Sequence, residues 1–253
     1  MAKNKGLHAP WARDHTAPLY YGYWTDFLDP RDFLRYTQTM GTGSSPALWT
    51  VTVTGTTPTA VVTAAKGGTF VLTMSGSQDD KFIAVEAQLN VNPAKGDSLV
   101  FHVGFTTGTN IATTNAVYGI ADVVTNACTR TTGYIASGVV LSVVAGVLKL
   151  WTGNVATATA DMTQTTLETL VASTTYRYTV EVYFDPTTQG AGTVTVWKTD
   201  ANGNATRVTT LQTAGGVGGL PQGVAMGQIW GVLATSTTSP VFTYDYWGYQ
   251  ASR

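Results

Sequence analysis

The sequence contains only three glutamates to serve as the carboxylate pair that cleaves a glycosidic bond: Glu86, Glu168 and Glu181. Such a pair lies about 5 Å apart in retaining hydrolases and about 6.5–9.5 Å apart in inverting ones. No E-x-D-x-E pattern places two carboxylates on one face of a strand. Glu86, His102 and Glu181 lie on the polar faces of separate predicted strands, which sheet closure could bring together. We expect them to belong to a solvated polar face, and we expect the protein not to be an enzyme.

Metal and cofactor chemistry has equally weak support in the sequence. The three histidines, His8, His15 and His102, have no ligand spacing between them. Asp79-Asp80 and the segment 200–204 could each donate oxygens to Ca²⁺, but Asp, Asn and Gly in these patterns are typical of turns. We therefore predict no catalytic residue, no metal ligand and no cofactor.

Four aromatic residues are predicted to face the polar side of their strands: Trp151, Tyr183, Trp197 and Trp247. Aromatic rings combine a large apolar area with a polar atom, so a sugar ring or another subunit could stack there. The alternative is that these rings fill the core of a sheet that is buried on both faces. The two interpretations stay open, because single positions do not separate them.

Strands must position these residues, since alternation at period two recurs along the chain. In the stretch 67–105, three strand signals follow one another, and we predict an antiparallel meander with one buried face. Residues 152–166, which are polar and small, are predicted to form a loop. About a dozen strands at a spacing of about 8–15 residues are typical of a sandwich or jelly roll. Further predicted strands include Tyr176–Phe184 and the hairpins Val139–Val144 with Val147–Trp151 and Thr193–Thr199 with Ala205–Leu211.

Residues 1–48 differ from the predicted sandwich, residues 49–253, in being rich in both cations and aromatics. Their only predicted helix is short, with Asp29 as N-cap, Pro30 at the first position and 31–37 following. The aromatics could fold back over an open end of the sandwich, or the segment could be an extended arm that docks on a neighbouring subunit. We favour the arm, with these docking residues: Lys3, Lys5, Trp11, Arg13, Tyr20, Tyr21, Trp24, Phe27 and Arg31.

Composition excludes several classes of protein. Charged residues make up 11% of the chain and the net charge is −1, which argues against nucleic acid as a partner and suits packing into an assembly. A single cysteine, Cys128, excludes an intramolecular disulfide framework. No apolar run is long enough to span a membrane, and no signal peptide is evident, so we expect synthesis in a host cytoplasm without secretion.

Several segments resemble bacteriophage virion proteins of the concanavalin A-like jelly-roll type. They are YWTDF at 23–27, WTVTVTG at 49–55, GGTFVLT at 67–73, Asp79-Asp80, the alternating strand through Gln88, and TYDYWGYQ at 243–250. The resemblance implies an all-β, antiparallel jelly-roll sandwich of the lectin/glucanase type. The glucanase carboxylate motif is missing.

The resemblance also implies a structural role in the virion. We expect a capsid decoration (cement) protein on the surface of a phage head, bound through the arm to the major capsid protein and to neighbouring copies of itself. Homo-oligomers are expected, a trimer before a dimer. The alternative is a glycan-binding, lectin-like module on a virion or cell surface, and a glycan hydrolase is a third hypothesis.

Overall fold

The computed structural model describes residues 20–25, 49–54, 59–63, 69–73, 81–86, 91–122, 137–154, 162–236 and 241–252. In the first five of these ranges it describes the backbone and, among side chains, only Val71 and Thr73; the side chains of Tyr246, Trp247 and Ser252 are also outside the description. The short helix predicted near residue 30, the Asp79-Asp80 turn and Cys128 lie outside the described residues.

The described chain folds into fifteen strands in two antiparallel sheets, as the resemblance implied. Sheet A has the order β13-β12-β11-β6-β15-β4-β3, with β1 paired beside β15, and sheet B has the order β10-β9-β8-β7-β14-β5-β2. The strands of sheet A are β1 (Tyr20–Thr25), β3 (Thr59–Thr63), β4 (Thr69–Thr73), β6 (Ser98–Thr107), β11 (Thr175–Phe184), β12 (Ala191–Thr199), β13 (Ala205–Ala214) and β15 (Val241–Ser252). The strands of sheet B are β2 (Trp49–Thr54), β5 (Lys81–Glu86), β7 (Thr114–Ala121), β8 (Gly138–Val144), β9 (Val147–Gly153), β10 (Thr163–Thr169) and β14 (Gly227–Ala234).

The core lies between the inner faces of the two sheets. Phe101 of sheet A packs against Tyr118 of sheet B with ring centroids 5.7 Å apart. Across the sandwich, the Tyr244 hydroxyl donates to the carbonyl oxygens of Val117 and Gly231, each at 3.3 Å. The inner faces are therefore joined by both apolar packing and hydrogen bonds.

Both predicted hairpins are confirmed. β8 and β9 are joined by Ala145 and Gly146, whose φ angles of 50° and 80° are those of a type I′ turn, which matches the twist of the flanking strands. β12 and β13 are joined by the turn at 200–204. Local turn chemistry was sufficient to predict both connections.

The predicted meander over 67–105 is wrong. Its three strands do not neighbour one another: β4 and β6 belong to sheet A, separated by β15, and β5 belongs to sheet B between β14 and β2. Alternation identifies a strand with one buried face, but it does not identify the strand that pairs with it. The predicted loop at 152–166 is also corrected, because β9 continues to Gly153 and β10 begins at Thr163.

Residues 20–25, which the sequence analysis assigned to the arm, form β1. This strand pairs antiparallel with β15, from Tyr20 opposite Ser252 to Thr25 opposite Trp247. Part of the N-terminal segment is therefore a strand of sheet A. None of the described residues forms a helix that is long and apolar enough to cross a membrane.

Candidate functional site

The outer face of sheet A is set by alternation along its central strands. In β11, Tyr178, Val180 and Val182 are buried in the core, so Thr179, Glu181 and Tyr183 face outward. The ladder with β12 places Trp197 opposite Thr179, and therefore on the same face. This face carries two of the aromatics that the sequence predicted to face the polar side of their strands, Tyr183 and Trp197.

Trp197 and Glu181 are held together on this face. The Trp197 indole N–H donates to Glu181 Oε2 at 2.9 Å, and both side chains are half-buried. Tyr183, two residues beyond Glu181 along β11, is 49% exposed. The three side chains form an outward-facing group, which we call the aromatic face: Glu181, Tyr183 and Trp197.

His102 lies beside the aromatic face but has a different character. It is opposite Thr179 in the ladder between β6 and β11, it is only 3% exposed, and its Nδ1 is 2.8 Å from Thr179 Oγ1. Burial lowers the pKa of His102 to about 4, because a charged imidazolium would lose its hydration. The ring is thus neutral near pH 7 and serves as a packed support next to the strand that carries Glu181.

Glu86, His102 and Glu181, which sheet closure could have brought together, do not all lie in one sheet. β5, the strand of Glu86, is in sheet B, whereas His102 and Glu181 are in sheet A. The other described acid on the outer face of sheet A is Asp245, which forms a 3.9 Å ion pair with Arg177. Arg177 precedes Glu181 by four residues along β11, a distance of about 13 Å along an antiparallel strand. Asp245 is on β15, a further two strands across the sheet, so its backbone is still farther from that of Glu181, whereas inverting hydrolases hold their carboxyl groups about 6.5–9.5 Å apart.

Glu168 is committed to a contact between the sheets. It lies on β10 of sheet B, where its Oε2 accepts from Lys198 Nζ at 2.6 Å and its Oε1 accepts from the Tyr178 hydroxyl. Burial, followed by the hydrogen bond and charge of Glu168, raises the pKa of Tyr178 well above its usual range. Lys198 also lies 5.0 Å from the centre of the Tyr176 ring. Sequence reasoning missed this cluster, because its members are distant in the chain and β10 was not predicted.

The segment 200–204 forms a turn, and the carboxylate of Asp200 accepts hydrogen bonds from other residues of that turn. Asp200 Oδ1 accepts from the backbone N–H groups of Asn202 and Asn204 at 2.9 Å and 2.8 Å, and Oδ2 accepts from the Asn204 side chain at 3.0 Å. Hydrogen bonds from the backbone and the side chain of Asn204 lower the pKa of the Asp200 carboxyl. Within the described ranges, no three His, Cys, Asp or Glu side chains lie close enough together to share a metal ion.

The remaining predicted contact residues have three different outcomes. Of the two interpretations left open for Trp151, the structure supports core filling, because the side chain is 2% exposed in a sheet that is buried on both faces around it. Trp247 pairs with Val103 and Thr25 through the backbone, and its side chain is outside the description. Of the proposed docking residues, Tyr20, Tyr21 and Trp24 lie on β1, and the others are outside the described residues: Lys3, Lys5, Trp11, Arg13, Phe27 and Arg31.

The outer face of sheet B is a second apolar layer. Ala116 and Tyr118 of β7 point into the core, so Val117 points outward, yet it is buried. Val140 and Trp151 pair on the same outer face and are buried too. This face has the composition of a core, whereas the aromatic face of sheet A is polar and partly exposed.

No protein-family model matches the sequence, and no curated protein sequence is significantly similar to it. Solved structures share its fold. A protein of unknown function from Shewanella oneidensis MR-1 aligns with a TM-score of 0.57 at 15% identity, covering 98% of this chain and 95% of that one. The endo-1,3-β-glucanase of Streptomyces sioyaensis aligns with a TM-score of 0.53 at 12% identity, covering 93% and 97%. Peanut lectin aligns with a TM-score of 0.50 at 10% identity, covering 92% and 97%.

These identities are too low to carry over a function, but the alignments span almost the whole length of each chain. The fold is therefore that of the concanavalin A-like lectins and glucanases, as the sequence resemblance implied. The predicted jelly-roll sandwich is confirmed. The function of the aromatic face has to be argued from its own residues, because the fold does not specify it.

Proposed function

We propose that the protein is a non-enzymatic, lectin-like module that binds a glycan on the aromatic face of sheet A. The observation that carries the proposal is the pairing of Trp197 with Glu181 beside the exposed Tyr183. A half-buried indole that is hydrogen-bonded through its N–H keeps a fixed orientation and costs little further ordering when a ligand arrives.

Each member of the aromatic face has a distinct role in this proposal. The Trp197 and Tyr183 rings offer apolar surfaces for the C–H faces of sugar rings. Only Oε2 of Glu181 is used by Trp197, so Oε1 is left to accept a hydrogen bond from a sugar hydroxyl. A hydrogen bond to a carboxylate is stronger than one between neutral groups, so this contact would fix the orientation of the sugar.

The surroundings of the aromatic face suit a neutral glycan. Thr193 is opposite Tyr183, Thr195 is opposite Glu181, and Gln212 follows Thr193 on the next strand. These side chains offer hydroxyl and amide groups, and Arg207, opposite Trp197, balances the charge of Glu181. Because Thr179, opposite Trp197, is four residues from Tyr183, the backbone positions that carry the two rings are about 13 Å apart along the strands. We therefore propose an extended oligosaccharide as the ligand instead of a single sugar.

A catalytic role is not proposed, because the described acids near the aromatic face do not form a pair. Asp245 is too distant from Glu181, and Glu168 is engaged between the sheets. Glycan-array screening followed by calorimetry tests this distinction. We expect binding without turnover, and cleavage of any glycan that is bound would contradict the proposal.

The affinity of the ligand found on the array then tests the residues. We expect Trp197→Ala and Tyr183→Ala each to weaken binding about ten-fold or more, which is usual for an anchoring aromatic residue. Trp197→Phe should lose less, because it keeps an aromatic ring although it removes the N–H and part of the indole surface. Val217→Ala is the control, since Val217 is 51% exposed on a loop away from this face. Unchanged affinity in both aromatic variants would reject the aromatic face as the binding site.

A second candidate function, proposed alongside the first, is a structural role on a bacteriophage head. It is favoured by the resemblance to virion proteins and by a composition with 11% charged residues, which allows dense packing with little repulsion. As a capsid decoration protein, the chain would bind the capsid through residues that precede the sandwich, and the aromatic face would point outward.

Deleting residues 1–19 tests the docking part, because this deletion keeps β1, a strand of sheet A. We expect a folded protein that no longer occupies phage heads. A matched variant with Lys3, Lys5 and Arg13 changed to Ser separates charge from aromatic contact. Full occupancy of the particle by the deleted protein would reject the docking segment.

A further inference from the structure

β13 is the outermost described strand of sheet A. It pairs with β12 on one side, and no described strand pairs with its other edge. The strand is ten residues long, contains no proline and has one charged residue, Arg207. Edge strands usually carry charges, prolines or bulges that prevent another strand from adding to the sheet. β13 does contain a bulge, at Val208, but its edge is long and nearly uncharged, which favours strand addition.

The sequence of β13, ATRVTTLQTA, is nearly symmetrical about its centre. An antiparallel copy in that register would place residues of the same or similar chemistry opposite each other. The matched positions are Ala205 with Ala214, Thr206 with Thr213, Arg207 with Gln212, and Val208 with Leu211, while Thr210 would meet Thr210 of the second copy. A contact about a two-fold axis requires such self-complementarity, because each residue meets its match twice.

Because β13 contains a β-bulge, residues that match in its symmetrical sequence also point to the same face of the sheet. In an unbroken strand, residues 207 and 212 would point to opposite faces of the sheet, because side chains alternate. The ladder with β12 shifts between Val196 and Trp197, so Arg207 is opposite Trp197 while Gln212 is opposite Thr193. Trp197 and Thr193 both face outward, and Arg207 and Gln212 therefore share the outer face.

The same shift acts on the inner face. Val208 and Leu211, which are three residues apart, both pack against the core. The two halves of β13 therefore present matching apolar residues inward and matching polar residues outward. Neither the sequence symmetry nor the bulge alone would give this result.

We propose that two copies of this chain associate by antiparallel pairing of β13 with β13 of the second copy, so that sheet A continues across the dimer. The Arg207 guanidinium of each copy would donate to the Gln212 amide oxygen of the other. Backbone groups at the edge would gain ladder hydrogen bonds, and threonines would meet threonines across the strands.

The neighbouring edge of sheet B is compatible with this pairing. β10 and β13 are in contact at the same side of the sandwich. The only charged residue of β10 is Glu168, and Lys198 already binds it at 2.6 Å. Two copies that meet along this side would therefore not bring unpaired like charges of these two strands together.

Sedimentation velocity and light scattering over a concentration series give the first test. We expect the full chain to form a dimer and Thr210→Lys to be monomeric, because an edge lysine near the two-fold axis repels its copy. Thr195→Lys is the matched control, since Thr195 is directly opposite Thr210 on the same face but one strand inward. It should leave the dimer intact. A full chain that is monomeric at every concentration would overturn the proposal.

Opposite charges at one position give the second test and determine the register. Gln212→Glu should tighten the dimer, because it places a carboxylate opposite Arg207 twice, and Gln212→Lys should weaken it. Two cross-strand pairs correspond to a change of about two- to thirty-fold in the dissociation constant in each direction. A dimer that responds equally to both variants, or a trimer, would overturn pairing through β13.

Discussion

The outer faces of the two sheets differ in what they can do. In sheet A, β11 alternates between buried core residues and accessible polar ones. In sheet B, β7 and β14 are buried at every position. A central strand of a sandwich can therefore be buried on its outer side as well as on its core side. Among the described residues, the central strands of sheet A are partly accessible on their outer side, whereas β7 and β14 of sheet B are not.

Two tryptophans show the consequence most clearly. Trp151 and Trp197 both lie on strands, and both fall on the side opposite the alternating core residues. Trp151 is fully buried on the outer face of sheet B, whereas Trp197 is half-buried and hydrogen-bonded to Glu181. The same local pattern therefore produces a packing residue in one sheet and a candidate contact residue in the other.

The largest expected effect follows from this pair. Trp151→Ala should lower the free energy of unfolding by about 3–5 kcal/mol, because it leaves a cavity in a closed layer. Trp197→Ala should cost about 1 kcal/mol, mainly the hydrogen bond to Glu181. Urea denaturation of both variants measures the difference. Equal losses would mean that the two faces do not differ as described.

The next prediction concerns the pH dependence of stability caused by His102, which lies on the outer face of sheet A. Its pKa is about 4 in the folded protein against 6.5 in the unfolded chain. The unfolded chain therefore binds more protons between these values, and stability must fall as the pH falls from 6.5 through 4. The full loss is about 3 kcal/mol, since one pKa unit corresponds to about 1.4 kcal/mol.

Chemical denaturation at several pH values measures this loss, and His102→Gln provides the control. The variant keeps a polar side chain beside Thr179 but removes the titrating group. Its stability should vary less between pH 6.5 and pH 4 than that of the unmodified protein. Identical pH profiles would remove His102 as the cause.

Tyr178 tests how the two sheets are joined at their edge. Tyr178→Phe removes the hydroxyl that donates to Glu168, and it should cost about 2 kcal/mol, as expected for a hydrogen bond to a charged acceptor. Tyr176→Phe is the matched control, because its hydroxyl accepts from the backbone N–H of Val171 and lies in the same cluster. A smaller loss for Tyr178→Phe than for Tyr176→Phe would show that Glu168 does not join the sheets.

The smallest expected change in the free energy of unfolding is at Ser142, which tests whether the outer face of sheet B packs like a core. Its hydroxyl is fully buried on the outer face and finds no hydrogen-bond partner among the described residues. Ser142→Ala should change the free energy of unfolding by less than about 1 kcal/mol and could stabilise the protein, since it removes an unpaired polar group. Thr179→Ala, which breaks the contact with His102, should cost more. A large loss at Ser142 would indicate that the hydroxyl has a partner.

Local features were predictable because their causes lie within a few residues. The Ala145-Gly146 hairpin and the turn at 200–204 follow from residues that favour turn geometry, and the structure contains both. The alternation of Tyr176–Phe184 predicted β11 and, with it, the outward direction of Glu181 and Tyr183. Two of the three residues of the aromatic face could therefore be identified from one strand.

Non-local features were not predictable from such patterns. The meander over 67–105 was wrong because period two is the same whichever strand lies alongside. β10 was missed because its threonine-rich sequence lacks an apolar alternation. The hydrogen bond between Trp197 and Glu181 depends on the register between β11 and β12, which neither strand specifies alone.

By itself, the sequence determined that this protein is an all-β jelly roll with few charges, because strand periodicity and turn residues act over short distances. The near-symmetrical sequence of β13, ATRVTTLQTA, can also be read directly from the chain. Only the tertiary structure decided which faces are open. Burial of Trp151, support of Glu181 by Trp197, and the bulge that aligns the two halves of β13 all depend on neighbouring strands. The physical reason is that burial and pairing are properties of contacts between distant segments, which period and composition do not encode.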